Sequence, residues 1–328
     1  MNKKKNIFVT RQIPKSGVEL LQKKYNVKVS PHDRVLTKKE LLKYVKNIDA
    51  LLCLLTDQID ADIMDAAGDN LKVIANYAVG YNNIDTEAAT KRRIVVTNTP
   101  GVLTDTVAEH TIALMMAISF KIVEADKFVR AGKYKGWEPM LFLGDDLQSK
   151  TLGIVGLGRI GFAVAQRAVN GMGMEVVYND IKKNSQFEKK YKAKYLSKDK
   201  LFKKSDFVSL HVPLLPQTTH LIGPKELKLM KKSSYLINTS RGPVINEKAL
   251  LMALEKGDIK GAALDVFECE PKLGCSKDIK DRFKKLDNTI FTPHIASASI
   301  DTRSKMSDMA AKNIMAVLSS KKPPNKVN

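Results

Sequence analysis

Three ionisable residues stand just beyond apolar runs in the second half of the chain: Arg241 after Tyr235–Thr239, Glu270 after Ala262–Phe267 and His294 after Thr289–Thr292. If those runs are parallel strands, the separations of 29 and 24 residues are each about one crossover, and neighbouring strands deliver the three side chains to one edge. A guanidinium fork suits a carboxylate. An imidazole suits a carbonyl oxygen that must take up a proton as it becomes an alkoxide. A carboxylate beside that imidazole would orient it and favour its charged form. Together the three meet the needs of reversible hydride transfer to a small 2-keto acid. Each also has a plainer reading: Arg241 as a surface cation beside Gly242-Pro243, and Glu270 as a loop carboxylate with Glu268 as its competitor. Among five histidines His294 is the favoured acid; His211 suits a cofactor pocket, His110 packing or capping inside a helix, and His32 and His220 loops.

Such a transfer needs a donor, and Gly156-Leu157-Gly158-Arg159-Ile160-Gly161 supplies a place for one. The pattern follows the apolar run Leu152–Val155 and opens a helical stretch from Ile160 to Val169, so its amides would face a pyrophosphate on the helix N-terminus. Gly156 permits the turn, Gly158 lets backbone approach phosphate, and Gly161 lets helix and strand pack closely. The next strand, Glu175–Asn179, ends at Asp180, where a carboxylate accepts from the adenosine ribose and repels a 2′-phosphate. NAD is therefore favoured over NADP, with Lys182 and Lys183 as counterweights.

The elements that must position these groups alternate along the chain. Strands are expected at Ile7–Thr10, Val27–Ser30, Ala50–Leu55, Val73–Asn76 and Ile94–Thr97, with helices near Lys15–Lys24, Lys38–Lys46, Asp60–Ala67 and Thr86–Lys91. That alternation implies a parallel sheet covered on both faces. One helix over Leu103–Val129 bridges to a linker, Ala131–Ser149, and a second alternation with six strands begins at Thr151 and includes Phe207–His211. The pattern predicts a last helix over Thr302–Leu318 packing back on the first unit and a disordered tail, Lys321–Asn328.

Composition narrows the rest. With 44% hydrophobic and 27% charged residues in 328, the chain reads as about two globular domains. Its longest strongly apolar stretch, Ile112–Ile118, is far short of the roughly 20 residues of a membrane helix. The basic start, MNKKK, precedes too short an apolar run for a signal peptide, so a cytoplasmic location is expected. The net charge of +20 comes from 45 Lys and only 10 Arg in scattered pairs, which favours a solvated lysine surface over a nucleic-acid partner. Cys53, Cys269 and Cys275 match no metal-ligand spacing and are expected as reduced thiols, with no metal site.

The chain resembles the D-isomer-specific 2-hydroxyacid dehydrogenases. The resemblance rests on Val79-Gly80-Tyr81-Asn82-Asn83-Ile84-Asp85, Asn98-Thr99-Pro100-Gly101, Leu152 to Gly161, His211-Val212-Pro213-Leu214, Asn238 to Gly242, Gly261 to Pro271 and Thr292-Pro293-His294. Within the family it most resembles the glyoxylate and hydroxypyruvate reductases, through Leu141-Phe142-Leu143-Gly144 and Ser297-Ala298-Ser299. It departs from them at Ala296, where glycine is common, and at Asp180. The resemblance implies two doubly wound α/β domains with a cleft between them: a flavodoxin-like substrate domain of residues 1–99 and 293–328, and a Rossmann cofactor domain of residues 100–292. It also implies a homodimer joined through the cofactor domain. Arg241 is then the substrate clamp, Glu270 the partner of the acid/base His294, and Asp265 a neighbour of the nicotinamide carboxamide. Val79 and Gly80 amides hold the substrate carboxylate, while Arg159, Ile160, His211, Val212, Pro213, Thr239 and Ser240 line the cofactor pocket. Phosphoglycerate dehydrogenase and an NADH-sensing binding protein on the same fold are the rival readings.

Overall fold

The computed structural model describes residues 4–270 and 273–328. Met1–Lys3 of the basic start and Pro271, which closes one of the motifs, lie outside them. The chain divides into two compact units, one ending at Leu103 and completed by Ala298–Asn328, the other Thr104–Ser297.

The first unit runs β1 (Asn6–Val9), α1 (Lys15–Gln22), β2 (Asn26–Val29), α2 (Lys38–Tyr44), β3 (Ala50–Cys53), α3 (Ala61–Ala67), β4 (Val73–Asn76), α4 (Thr86–Lys91) and β5 (Val95–Thr97). Every strand pairing is parallel, in the order β2-β1-β3-β4-β5. β3 and β4 are buried along their whole length, as central strands covered on both faces must be. Side-chain caps start the helices where the sequence offers them: Thr37, Asp60 and Asp85 each accept an amide three residues on.

The second unit contains α5 (Thr104–Ser119), α6 (Ile122–Arg130), β6 (Thr151–Val155), α7 (Arg159–Met172), β7 (Glu175–Asn179), α8 (Ser185–Tyr191), β8 (Lys194–Tyr195), α9 (Lys198–Lys204), β9 (Phe207–Leu210), α10 (Pro224–Leu229), β10 (Tyr235–Asn238), α11 (Glu247–Glu255), β11 (Gly261–Leu264), α12 (Lys277–Phe283) and β12 (Thr289–Phe291). Its strands form one parallel sheet, β12-β11-β10-β9-β6-β7-β8. The order reverses between β6 and β9, the switch point beyond whose carboxyl ends ligands bind in open α/β sheets. Two apolar layers cover the sheet, one including Ile112, Met115, Val164 and Tyr178, the other Leu236, Leu250, Leu251 and Phe283.

Four expectations need correction. The bridging helix breaks at Lys121, which takes a left-handed φ of +54°. The reason is a cap: Asp145 donates its amide to the Ser119 carbonyl and accepts from the Ser119 hydroxyl, so α5 ends there. The sheet of the second unit has a seventh strand, the short β8. The tail is docked, because β5 is an edge strand whose backbone needs partners. Val96 donates to Asn328 Oδ1 at 2.8 Å, Val327 donates to the Val96 carbonyl at 3.0 Å, and Thr97 bridges Lys326 antiparallel. Cys269 and Cys275 form a disulfide, their Cα atoms brought to 5.1 Å by the turn after β11, well inside bridging reach; Cys53 is a buried thiol. The last helix, α13 (Ile300–Leu318), packs on α1 and β4 of the first unit.

Candidate active site

β10, β11 and β12 are adjacent and in register, Asn238 beside Leu264 and Leu264 beside Phe291. Their carboxyl ends therefore present Arg241, Glu270 and His294 on one edge of the sheet. His294 Nδ1 lies 2.9 Å from Glu270 Oε2, and the Phe267 amide holds the other carboxylate oxygen at 3.0 Å. Glu268 does not compete for the imidazole. Its carboxylate takes His220 Nε2 at 2.6 Å and the Glu247 amide at 3.1 Å. Arg241 is largely buried; desolvation lowers its pKa and the Glu270 charge opposes that. Its Nη1 donates to the Ser240 carbonyl, and its own carbonyl accepts from Asn238.

His294 is itself in the left-handed region, φ +55°, a conformation that costs a residue with a Cβ roughly 1–2 kcal/mol. Asp265 offsets that cost. Its carbonyl accepts from the His294 amide at 2.8 Å, Oδ1 from Thr292 Oγ1 at 2.6 Å and the Ile295 amide at 2.8 Å, and Oδ2 from the Ala296 amide at 2.8 Å. His110 Nε2 completes the ring, 3.3 Å from Thr292 Oγ1 and 3.6 Å from Asp265 Oδ1. Burial works against an ionised Asp265, but these donors outweigh it and hold its pKa below the ordinary value. Its carboxylate is thus turned to the backbone around His294. Neither this hub nor the part of His110 in it is encoded locally in the sequence, where the one signal is a histidine within an apolar helix.

The glycine loop lies at the switch point. Gly156 takes φ +93°, and a Cβ there would meet the His211 backbone at 2.8 Å, so the β6 and β9 loops close against each other. Among the described residues no side chain caps the 14-residue α7, whose N-cap is Gly158, and a Cβ on Gly158 would meet none of them within 4 Å. Exposed first-turn amides and open approach are what a dinucleotide pyrophosphate needs, so the residues fit the cofactor that the loop implies. Asp180 accepts the Leu157 amide at 2.6 Å and the Ile181 amide at 2.6 Å. It lines a depression with Leu157, Lys182, Lys183, Asn184, Ser185 and Gln186. Beside the loop, His211 bonds Ser209 Oγ at 2.8 Å, and desolvation pushes its pKa down to about 3, leaving a neutral ring at pH 7. Val212 and Pro213 follow it, with Val212 Cγ1 2.9 Å from a Cβ on Gly156. Thr239 Oγ1 pairs with Thr111 Oγ1 at 2.9 Å, and Ser240 bonds Asn238 Oδ1 through amide and hydroxyl.

Val79 and Gly80 stand in the first unit, just past β4. Asn98 Nδ2 and Asn76 Nδ2 each donate at 2.8 Å, to the carbonyls of Val79 and Gly80 respectively. With their carbonyls tied back, the loop has a fixed course.

Behind the Glu270 turn sits Glu247, 2% exposed. Desolvation first, then the charges of Glu268 and Glu270, push its pKa from the ordinary 4.5 up to about 7, against the amides of Glu268 and Gly274. A carboxyl whose pKa is raised by folding adds stability that is full below 4.5 and is lost as pH rises through 7. Glu247→Gln should remove that component: across this window the thermal midpoint of the variant, measured against wild type, shifts upward with pH.

Known proteins resemble this chain over nearly its whole length. The family profile described as "D-isomer specific 2-hydroxyacid dehydrogenase, NAD binding domain" matches residues 112–296. A glyoxylate reductase of Korarchaeum cryptofilum is 49% identical over 99% of this chain and 96% of its own. A Thermus thermophilus protein of known crystal structure superposes with a TM-score of 0.90 at 41% identity, over 98% of this chain and 100% of the other. An NADPH-dependent glyoxylate/hydroxypyruvate reductase of Sinorhizobium meliloti, solved with NADP and malonate, gives 0.85 at 29% identity over 99% of this chain and 97% of its own. The chain belongs to the D-isomer-specific 2-hydroxyacid dehydrogenases, oxidoreductases that use a nicotinamide cofactor.

Proposed function

We propose that this protein is an NADH-dependent reductase of glyoxylate and hydroxypyruvate, yielding achiral glycolate from the first and the D-2-hydroxy acid, glycerate, from the second. The observation that carries the reading is the His294 Nδ1 to Glu270 Oε2 contact of 2.9 Å on the sheet edge that also bears Arg241. A bound dihydronicotinamide would supply the hydride to C2 of the keto acid. The Arg241 guanidinium holds the substrate carboxylate, with the amides of Val79 and Gly80 as further anchors. Glu270 accepts from Nδ1 and fixes the ring, which leaves Nε2 to give its proton to the carbonyl oxygen. The glycine loop takes the pyrophosphate, and Asp180 takes the ribose and disfavours a 2′-phosphate. We assign the cofactor to residues 100–292 and the substrate-binding domain to residues 1–99 and 293–328.

A homodimer fits the surface of the second unit. α6 buries none of its residues, and with the segment after it exposes Ile122, Val129, Tyr134, Trp137, Met140 and Leu143, Trp137 to 82%. Apolar clusters of this kind mark association surfaces.

The test is NADH oxidation with glyoxylate, hydroxypyruvate, phosphohydroxypyruvate and pyruvate, repeated with NADPH. The first two acids should show the highest kcat/KM, with NADH ahead of NADPH; preference for the phosphorylated acid, or no turnover with any, would count against the reading. Arg241→Lys should raise the KM for glyoxylate about 10- to 100-fold, since an ammonium forfeits one charge-assisted hydrogen bond of ~1.5–3 kcal/mol. An unchanged KM would remove Arg241 from the clamp.

A further inference from the structure

Arg241 and Glu270 lie on different loops, and one buried joint ties those loops together. Gly242, the residue after Arg241, lies so close to the turn after β11 that a Cβ on it would fall 1.8 Å from the Phe267 carbonyl oxygen. Five residues further, Glu247 opens α11 and forms a reciprocal pair with Glu268. The Glu268 amide donates to Glu247 Oε1 at 2.6 Å, and the Glu247 amide donates to Glu268 Oε2 at 3.1 Å. The other Glu247 carboxyl oxygen, Oε2, is buried with no hydrogen-bond partner among the described residues, so the Glu268 amide is the group that the side chain holds. Burying a carboxyl is costly unless it is hydrogen-bonded, and a neutral helix start would need none.

We propose that Glu247 is a positioning residue for the reaction: its carboxyl oxygen, accepting the Glu268 amide, locks the turn bearing Glu270 and thereby the imidazole partner onto the segment bearing Arg241. The inference rests on the proposed reductase reading. Displacement of a catalytic group by about an ångström can lower rate roughly 100-fold.

Glu247→Met and Glu247→Gln separate the role from mere folding. Both keep the length of the side chain and remove its charge, but only Gln retains an oxygen for the Glu268 amide. With thermal midpoints and NADH binding measured alongside, the Met variant should lose about 10- to 100-fold in kcat for glyoxylate at saturating NADH, with NADH affinity held. Gln should restore most of that loss. A Met variant as active as the Gln variant overturns the proposal, as does a folded, NADH-binding Gln variant that has lost turnover. Wild-type protein that reduces none of the four acids would instead defeat the underlying reading.

Discussion

Replacing His294 by Ala should lower kcat for glyoxylate by roughly 10²–10⁴ while leaving NADH affinity near that of wild type. The effect is large because the alkoxide forming at C2 then has no positioned proton donor. The backbone loses little: the left-handed turn is held by the Asp265 carbonyl and carboxylate through the amides of residues 294–296, and Ala keeps those amides. Steady-state kinetics with a fluorescence titration of NADH separate the two parameters. Near-normal turnover would deny His294 the role of acid, and a collapse of NADH binding would show that the substitution disturbs more than proton transfer.

Gly161→Ala should have a comparable effect by a different route. A Cβ at residue 161 would fall 2.1 Å from the Gly156 carbonyl oxygen and 3.1 Å from Ile154 Cγ2. The first obstacle is backbone within the phosphate loop, so relief requires α7 to slide along β6 and carry its N-terminal amides away from the pyrophosphate. NADH affinity should fall about 100-fold, with overpacking costing ~1–3 kcal/mol of stability. Gly158→Ala is the contrast, since a Cβ there meets none of the described residues within 4 Å. It should leave the thermal midpoint unchanged and weaken NADH through contact with the phosphates alone. A Gly161→Ala protein with wild-type NADH affinity and melting temperature would show that the close helix-strand approach is dispensable.

What was legible in the sequence shares a property: each feature is encoded within one strand and its following loop. The alternating elements, the glycine loop on β6, Asp180 ending β7, and the three ionisable residues past β10, β11 and β12 are of this kind, and the parallel order of the sheet then brings the last three together. The features that escaped are relations between segments. Asp265 follows the buried β11, and only the path of residues 292–296 makes it a hub. The Lys-rich tail has the composition of a disordered end, yet the unpaired edge of β5 gives Val327 and Asn328 partners. Lys121 carries no glycine or proline signal, because α5 is stopped by Asp145 from beyond α6. At the Glu270 turn, what the sequence does not show is where its competitor goes: Glu268 is drawn toward His220 and Glu247.

The proposed reaction requires that a guanidinium and an imidazole backed by a carboxylate converge on one keto acid. A crystal structure with NAD⁺ and oxamate, an unreactive mimic of a 2-keto acid, tests it most directly. The oxamate carboxylate should lie on the Arg241 guanidinium and its carbonyl oxygen about 2.6–3.2 Å from His294 Nε2, with Nδ1 still on Glu270. Oxamate seated away from Arg241, or an imidazole turned from the carbonyl and parted from Glu270, would contradict it.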